Sequence, residues 1–329
     1  MRLLVVGGAG YIGSVVAAQL LEAGHEVVVA DNLCRGHRDA VPPRADFAEA
    51  DLLDPAAVDS LVGRGFDGVL HFAALSLVGE SVEQPLRYFR ANVVGTLNLL
   101  DAMRAHGVGR LVFSSTAACY GEPETVPITE DAPTNPTNPY GASKLAVDNA
   151  IRFACEAPGP GLGAVSLRYF NVAGASGPYG ERHDPETHLI PLVLAAAAGE
   201  RPSVSVFGQD YPTSDGTAVR DYIHVEDLAR AHLLALESAG SPGHRVYNLG
   251  NGAGFSVRQV IEAAAAVTGR DIPVVDAPRR AGDPAVLVAS SDRIRRDLGW
   301  EARKPALTDM VGDAWAFAQR GQRGQRGRS

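Results

Sequence analysis

Apolar positions along the chain follow two rhythms. Short unbroken runs, such as Leu3-Leu4-Val5-Val6 and Val27-Val28-Val29-Ala30, alternate with longer stretches in which apolar residues recur every three or four positions. The runs read as strands buried on both faces, and the longer stretches as helices with one apolar side. The pattern predicts strands at 3–6, 25–30, 46–51, 68–72, 111–113 and 164–170, and helices at 11–23, 55–62, 85–107 and 140–156. A segment rich in Pro, Thr and Asn, 120–139, reads as loop. Strands alternating with helices at this spacing predict an α/β fold. Its core is a Rossmann-like, doubly wound parallel sheet whose ligand lies at the carboxyl ends of the strands.

From Asn171 the character changes. Long loops at 171–187 and 208–219 surround helices expected at 188–198, 225–238, 256–268, 290–298 and 306–319, with strands near 204–207, 245–248 and 272–275. Such loops suit a smaller α/β domain that faces a substrate. The expected division is a dinucleotide-binding domain over 1–171, with segments returning near 223–250, a substrate-binding domain over 172–318, and a disordered Arg/Gly/Gln tail over 319–329.

Bulk properties narrow the classes. A chain of 329 residues has room for about two domains with a real core. A net charge of −8 gives no electrostatic case for wholesale binding to nucleic acid or to an anionic membrane. Arg/Gly tracts can bind single strands, but the four arginines of the tail read more simply as a solvated end. Cys34, Cys119 and Cys155 are too few and too far apart for a disulfide framework or a Cys-x-x-Cys site. Met1-Arg2 runs straight into the first strand, so no signal peptide is expected, and no apolar run is long enough to span a membrane. A cytoplasmic protein is expected.

Two constellations carry chemistry. Gly7, Gly10 and Gly13 stand between the first strand and the first helix. One glycine permits the tight turn, the next lets a pyrophosphate approach the backbone, and the last lets helix and strand pack closely. The helix N-terminus then points free N–H groups at phosphate. Asp31, 18 residues past Gly13, ends the second strand, where a carboxylate accepts from ribose hydroxyls and repels a 2′-phosphate. That favours NAD over NADP. The second constellation is Tyr140-Gly-Ala-Ser-Lys144, which on a helix sets both side chains on one face. A free tyrosine, with a pKa of about 10, is a poor base at neutral pH. A nearby ammonium and an oxidised nicotinamide would favour the phenolate, making Tyr140 a general base toward an alcohol. Thr116, at the end of the strand that closes Ser114-Ser115-Thr116, would pass a hydrogen bond between substrate hydroxyl and Tyr140.

Other candidates carry less. His71 reads as a strand-end hydrogen-bonder and His224 as structural. His183 and His188 flank Asp184 and Glu186 without His-Glu-x-x-His spacing, so no metal is expected. No Walker-type loop or Gly-x-Ser-x-Gly is present. Arg220 and the pair Arg279-Arg280 offer guanidinium forks suited to a diphosphate.

With these motifs in place the chain resembles the extended short-chain dehydrogenase/reductases, and within them the UDP-hexose 4-epimerases. The likeness spans about 2–315. It rests on Gly-Gly-Ala-Gly-Tyr-Ile-Gly at 7–13, Asp31-Asn32-Leu33, Val78-Gly79-Glu80-Ser81, Leu167-Arg-Tyr-Phe-Asn171, Phe207-Gly-Gln-Asp-Tyr-Pro-Thr213, Asp215-Gly-Thr217, Val219-Arg-Asp-Tyr-Ile-His224, Tyr247-Asn-Leu-Gly250 and Arg279-Arg-Ala-Gly-Asp283. The resemblance implies a tightly held NAD that is reduced and reoxidised within one turnover. Tyr140 takes the proton of the sugar 4-hydroxyl as hydride leaves C4, and the 4-keto sugar swings about its diphosphate and takes hydride back on its other face. It implies a cofactor site at Gly7, Gly10, Tyr11, Ile12, Gly13, Asp31, Asn32 and Leu33, with Asp51 and Leu52 at the adenine. Phe72, Ala73, Ala74, Ser76, Asn92, Ser114, Tyr140, Lys144 and Phe170 complete it. It implies a UDP-sugar site at Thr116, Tyr140, Asn171, His188, Leu189, Ser205, Phe207 (near the uracil), Arg220, Arg280, Asp283 and Leu287, and a homodimer formed through helices near 92–106 and 140–156.

The chain departs from familiar members at four positions. Ser76 stands where well-known members carry Lys, Thr116 replaces a common Ser, His188 stands where some have Asn, and Leu287 stands where some have Tyr. The last change suggests that N-acetylhexosamine nucleotides are also accepted. UDP-pentose epimerisation is the closer alternative. A nucleotide-sugar dehydratase needs an acid pair after the strand-end Thr, where this chain has Ala117-Ala118. A non-catalytic NAD-binding regulator would tend to lose the base, yet Tyr140 and Lys144 are both present.

Overall fold

A computed structural model describes residues 1–159, 161–280 and 283–326. Its centre is a parallel sheet of seven strands. These are β1 (Arg2–Val6), β2 (Glu26–Asp31), β3 (Asp46–Glu49), β4 (Gly68–His71), β5 (Arg110–Thr116), β6 (Gly163–Tyr169) and β7 (Gly243–Leu249), in the spatial order β7-β6-β5-β4-β1-β2-β3. The order reverses between β1 and β4, and that switch opens a crevice at the strands' carboxyl ends. This is the expected doubly wound α/β fold.

The apolar run of β1 divides cleanly between the two faces of the sheet. Leu3 and Val5 join Val15, Val16 and Leu20 of the helix Tyr11–Glu22 and Leu228, Ala231 and Ala235 of the helix Val225–Ser238. Leu4 and Val6 join Val58, Leu99, Val147 and Ile151 of the helices Pro55–Val62, Gly95–Ala105 and Pro139–Glu156. Burying each such side chain stabilises the fold by about 1.5–3 kcal/mol. Trp300 is fully buried in the first layer and its indole N–H donates to the Asp227 carbonyl at 2.9 Å.

A third apolar cluster holds the remaining segments together, with Ile190, Val193 and Leu194 packed against Tyr222, Val260, Met310 and Val311. Around it lie small sheets: Val204–Phe207 with Val274–Ala277, Val219–Arg220 with Phe255–Ser256 and Val286–Leu287, and Asn171–Ala173 with Tyr222–His224. The first of these pairs answers to the strands expected near 204–207 and 272–275; the others, of two or three residues, carry no periodicity for the pattern to show.

Three differences from the expected elements have local causes. The helix expected over 85–107 is in three pieces, with a π turn at Phe89–Val94 between Pro85–Tyr88 and Gly95–Ala105. Such turns commonly set a functional side chain, and this one carries the buried Asn92. A short helix, Val78–Glu83, also forms. The end expected to be disordered from 319 instead continues the helix Leu307–Arg326, and 327–329 fall outside the described residues. Among the described residues no helix is long and apolar enough to cross a membrane. All three cysteines are free.

Candidate active site

The glycine turn forms as its spacing requires. Gly7 has φ +80°, and a Cβ there would lie 2.4 Å from the backbone nitrogen of Ala73, where β4 ends. A Cβ on Gly13 would lie 2.4 Å from the Gly7 carbonyl oxygen, so only glycine lets the helix close onto the turn. Gly10 differs: its Cβ would meet a single atom, the Gly7 oxygen at 3.3 Å, so the space beyond is open. Gly10 is also the N-cap of the helix and brings no side chain to its free N–H groups. Tyr11 and Ile12 open that helix, and the Tyr11 hydroxyl donates to the Gly174 carbonyl at 2.6 Å, tying the turn to the second part of the chain.

Asp31 stands at the end of β2, 9% exposed. Its carboxylate accepts from the N–H groups of Ala9 at 3.1 Å and Leu33 at 2.9 Å, one on each oxygen. Burial raises its pKa and these bonds oppose the rise. Each oxygen keeps a lone pair for a ribose hydroxyl. Leu33, at φ 57°, is the only non-glycine residue at positive φ among those described. The Asn32 amide donates to Asp51 at 3.1 Å, and Leu52 packs against Gly95. Phe72, Ala73, Ala74 and Phe170 are half-buried along the crevice, and Ser76 is exposed. This cradle, open at Gly10 and acidic at Asp31, fits a dinucleotide without a 2′-phosphate.

Asn92 is buried on the π turn. Both of its N–H bonds are committed, to the Leu75 carbonyl at 3.0 Å and the Ser143 hydroxyl at 2.9 Å, and its oxygen accepts from the Leu75 N–H. It fastens the loop after β4 to the helix Pro139–Glu156.

That helix starts at Pro139, with Asn138 accepting from the Gly141 N–H as its cap. A Cβ on Gly141 would lie 2.5 Å from the Ala118 carbonyl oxygen, so glycine brings the helix tight against the end of β5. Tyr140 therefore faces Thr116. Burial pushes the Tyr140 pKa up to about 12, the hydrogen bond from Thr116 works against that rise, and Cys119 adds to it. The Lys144 ammonium, 2% exposed, donates to the Ser114 carbonyl at 2.7 Å and sits 4.7 Å above the Phe113 ring. Desolvation pulls its own pKa down to about 8, against the pull of Asp148. The Ser114 hydroxyl bonds the Tyr169 hydroxyl.

The sequence reading missed a buried network beneath these residues. Asp148 lies one turn past Lys144, continuing the four-residue spacing of Tyr140 and Lys144, and that spacing was the available signal. Its Oδ2 accepts from Arg168 at 2.9 and 3.0 Å and from Ser115 at 3.1 Å. Arg168 also donates to Tyr120, whose hydroxyl donates to Asn248 at 2.7 Å.

The second cluster of expected residues gathers as well. Ser205 and Phe207 share the open face of their strand, whose Val204 and Val206 are buried. The Arg280 guanidinium lies 4.0 Å over the Phe207 ring. Arg220 pairs in register with Leu287 and is ion-paired with Asp283. Arg279 instead donates to Asp210 at 2.7 Å, so of the two adjacent arginines it is Arg280 that lies over Phe207. Asn171 is held by backbone pairing to Asp221 and Tyr222. His188 and Leu189 begin the helix Leu189–Ala198. His71 bonds Thr96 at 2.9 Å, and His224 caps its helix and bonds Asp313 at 3.0 Å, both structural roles.

Comparison with known proteins agrees with this geometry. The sequence profile of the NAD dependent epimerase/dehydratase family matches residues 3–250. The UDP-glucose 4-epimerase of Corynebacterium glutamicum is 60% identical over 317 residues, covering 96% of this chain and 95% of that one. The Brucella ovis UDP-glucose 4-epimerase, solved in complex with NAD, superposes with a TM-score of 0.92 at 45% identity, covering 96% of this chain and 98% of that one. The Bifidobacterium longum enzyme, solved with NAD+ and UDP, gives 0.92 at 38% identity, covering 98% and 100%. A dinucleotide cradle, a tyrosine buried against a threonine, and this likeness along nearly the whole length lead to one assignment: the chain belongs to the NAD-dependent epimerase/dehydratase family.

Proposed function

We propose that this protein is an isomerase that interconverts UDP-glucose and UDP-galactose by inverting C4, with NAD as its resident cofactor. The observation that carries the reading is Tyr140 set against Thr116 at the carboxyl end of β5, beside the glycine cradle. The glycine turn and Asp31 would hold NAD, which would supply a reversible hydride acceptor for C4. Tyr140 takes the proton of the 4-hydroxyl and gives it back, and Thr116 shares the hydrogen bond that orients that hydroxyl. Lys144 holds the Ser114 carbonyl and supplies positive charge beneath the base. Phe207 and Arg280 stack to receive the uracil, while Arg220 and Asp283 hold the nucleotide end. Anchoring the nucleotide and leaving the hexose loosely held lets the keto sugar turn over. The test combines two measurements: release of bound nucleotide from the pure protein by heat, and conversion of UDP-galactose without added cofactor. Absence of both NAD and turnover would refute the reading.

The finer specificity rests on Leu287. It is half-buried, opposite Arg220 in the register of their two-residue strands. A leucine there leaves more room beside the sugar than a tyrosine would. UDP-GlcNAc and UDP-GalNAc are expected to be interconverted too, and Leu287→Tyr is expected to lose that turnover selectively. Wild-type enzyme active on UDP-galactose but inert on both N-acetyl sugars rules this out.

The protein is further proposed to be a cytoplasmic homodimer. Val82, Leu86, Val94, Leu97 and Phe153 are exposed to between 41% and 77% on the segments flanking the helix Pro139–Glu156 and on that helix itself. A second copy of the same surface would cover this apolar face symmetrically. Leu97→Glu is expected to shift the protein from dimer to monomer in light scattering coupled to gel filtration. A wild-type protein that runs as a monomer at micromolar concentration excludes the dimer.

A further inference from the structure

Residues 181–188 form no helix or strand, yet four of their side chains turn inward onto one spot. Glu181, His183, Glu186 and His188 each offer one donor atom, and these atoms all lie within 4.8 Å of one another. Two hydrogen bonds run within the group, His183 Nδ1 with Glu181 Oε1 and His188 Nδ1 with Glu186 Oε1, both at 2.9 Å, and further close approaches cross between the two pairs. Glu181 Oε1 is 2.9 Å from His183 Nδ1 and 2.8 Å from His188 Nδ1. His188 Nδ1 is also 2.9 Å from Glu186 Oε1, and His183 Nδ1 is 3.8 Å from Glu186 Oε2. A single N–H cannot point well at two carboxylates, so His188 Nδ1 lies between Glu181 and Glu186, while His183 Nδ1 leans on Glu181 from the other side.

We infer that this loop is a binding site for a divalent transition metal, zinc by its donor set. Two imidazole nitrogens and two carboxylate oxygens are ligands that zinc accepts, at about 2.0–2.2 Å. A tetrahedral shell of that radius puts neighbouring donors about 3.3 Å apart, within the range these atoms already span. Two carboxylates and two neutral imidazoles also balance a dipositive ion. Four protein ligands leave no open position, so the metal is structural. The side chain of Glu181 is only 10% exposed and that of His188 is 44% exposed, which leaves a way in from solvent.

The surroundings indicate what the metal does. The loop is stapled to the segment after β2: His37 contacts the Arg182 carbonyl at 3.0 Å, Arg182 pairs with Asp39 at 2.7 Å, and Arg35 donates to the Asp184 carbonyl. His188 is the N-cap of the helix Leu189–Ala198. A metal here locks the loop that joins the edge of the cofactor crevice to the start of that helix. The sequence motif is Glu-x-His-x-x-Glu-x-His, which matches no helical zinc pattern because the ligands sit on a loop.

The full-length chain, made without a histidine tag, is incubated with zinc sulfate, freed of excess metal by gel filtration, and assayed for zinc by mass spectrometry. About one zinc per chain is expected, together with a melting temperature that falls on treatment with EDTA. His183→Ala and Glu181→Gln are expected to hold at least about tenfold less zinc while keeping the wild-type content of bound nucleotide. X-ray absorption of the wild-type zinc protein is expected to give a shell of nitrogen and oxygen including two imidazoles. Failure of the wild type to retain zinc overturns the inference. So does wild-type zinc content in both variants, or sulfur in the metal shell.

Discussion

Tyr140→Phe is expected to lower the turnover of UDP-galactose at least about 10²-fold, the usual scale for removal of an acid–base group. The variant should keep its bound nucleotide, because the hydroxyl contributes nothing to the glycine cradle or to Asp31. A variant within about threefold of wild type would remove Tyr140 from proton transfer. The companion substitution is Thr116→Val. The Thr116 hydrogen bond is what opposes the burial-driven rise of the Tyr140 pKa. Without it the base binds its proton more tightly, so the acid limb of the kcat/KM profile should move to higher pH. An unmoved limb would show that Thr116 acts on substrate position alone.

Asp148→Ala is expected to destabilise the fold by about 3–5 kcal/mol, the scale for removing one partner of a buried ion pair. Asp148 and Arg168 are 3% and 6% exposed, and the variant leaves the guanidinium without its carboxylate. Adding Arg168→Met should recover much of the loss, since it removes the stranded charge. A loss below about 1 kcal/mol in urea unfolding would mean that the pair is dispensable. Asp148 is also the charge that supports protonation of Lys144 against desolvation. With Asp148 gone, the Lys144 pKa should fall further below its ordinary value. Stability follows the same sign. The folded pKa, about 8, lies under the unfolded value of 10.5, so the unfolded state binds the Lys144 proton more tightly. Lys144 therefore costs stability below pH 8, and this cost shrinks as pH rises toward 10.5.

Much of the fold was legible because it is local. Leu3 to Val6 announced a strand buried on both sides, and Gly7, Gly10 and Gly13 announced a turn whose sterics permit no other residue at two of the three positions. Asp31 at the end of β2 and the Tyr140–Lys144 spacing were equally readable, since each depends on one element and its period. By contrast, the partner of Lys144 was not readable. Spacing on a helix shows that two side chains share a face, but not that one of them will meet the Ser114 carbonyl on β5 rather than the neighbouring phenol. Asn92 illustrates the same limit, because its bonds to Leu75 and Ser143 depend on where the loop after β4 and the helix Pro139–Glu156 come together in space.

The sequence by itself determined the order of the long strands and helices, the glycine turn and the shared face of Tyr140 and Lys144, because backbone propensity, glycine sterics and helical period act over a few residues. Only the tertiary structure decided which charges lose their water and which partners they find across the chain. Asp148 meets Arg168, and Glu181, His183, Glu186 and His188 converge, because desolvation and ion pairing depend on distances in space. Spacing along one helix can put Asp148 on the face of Lys144, but it does not bring Arg168 to it.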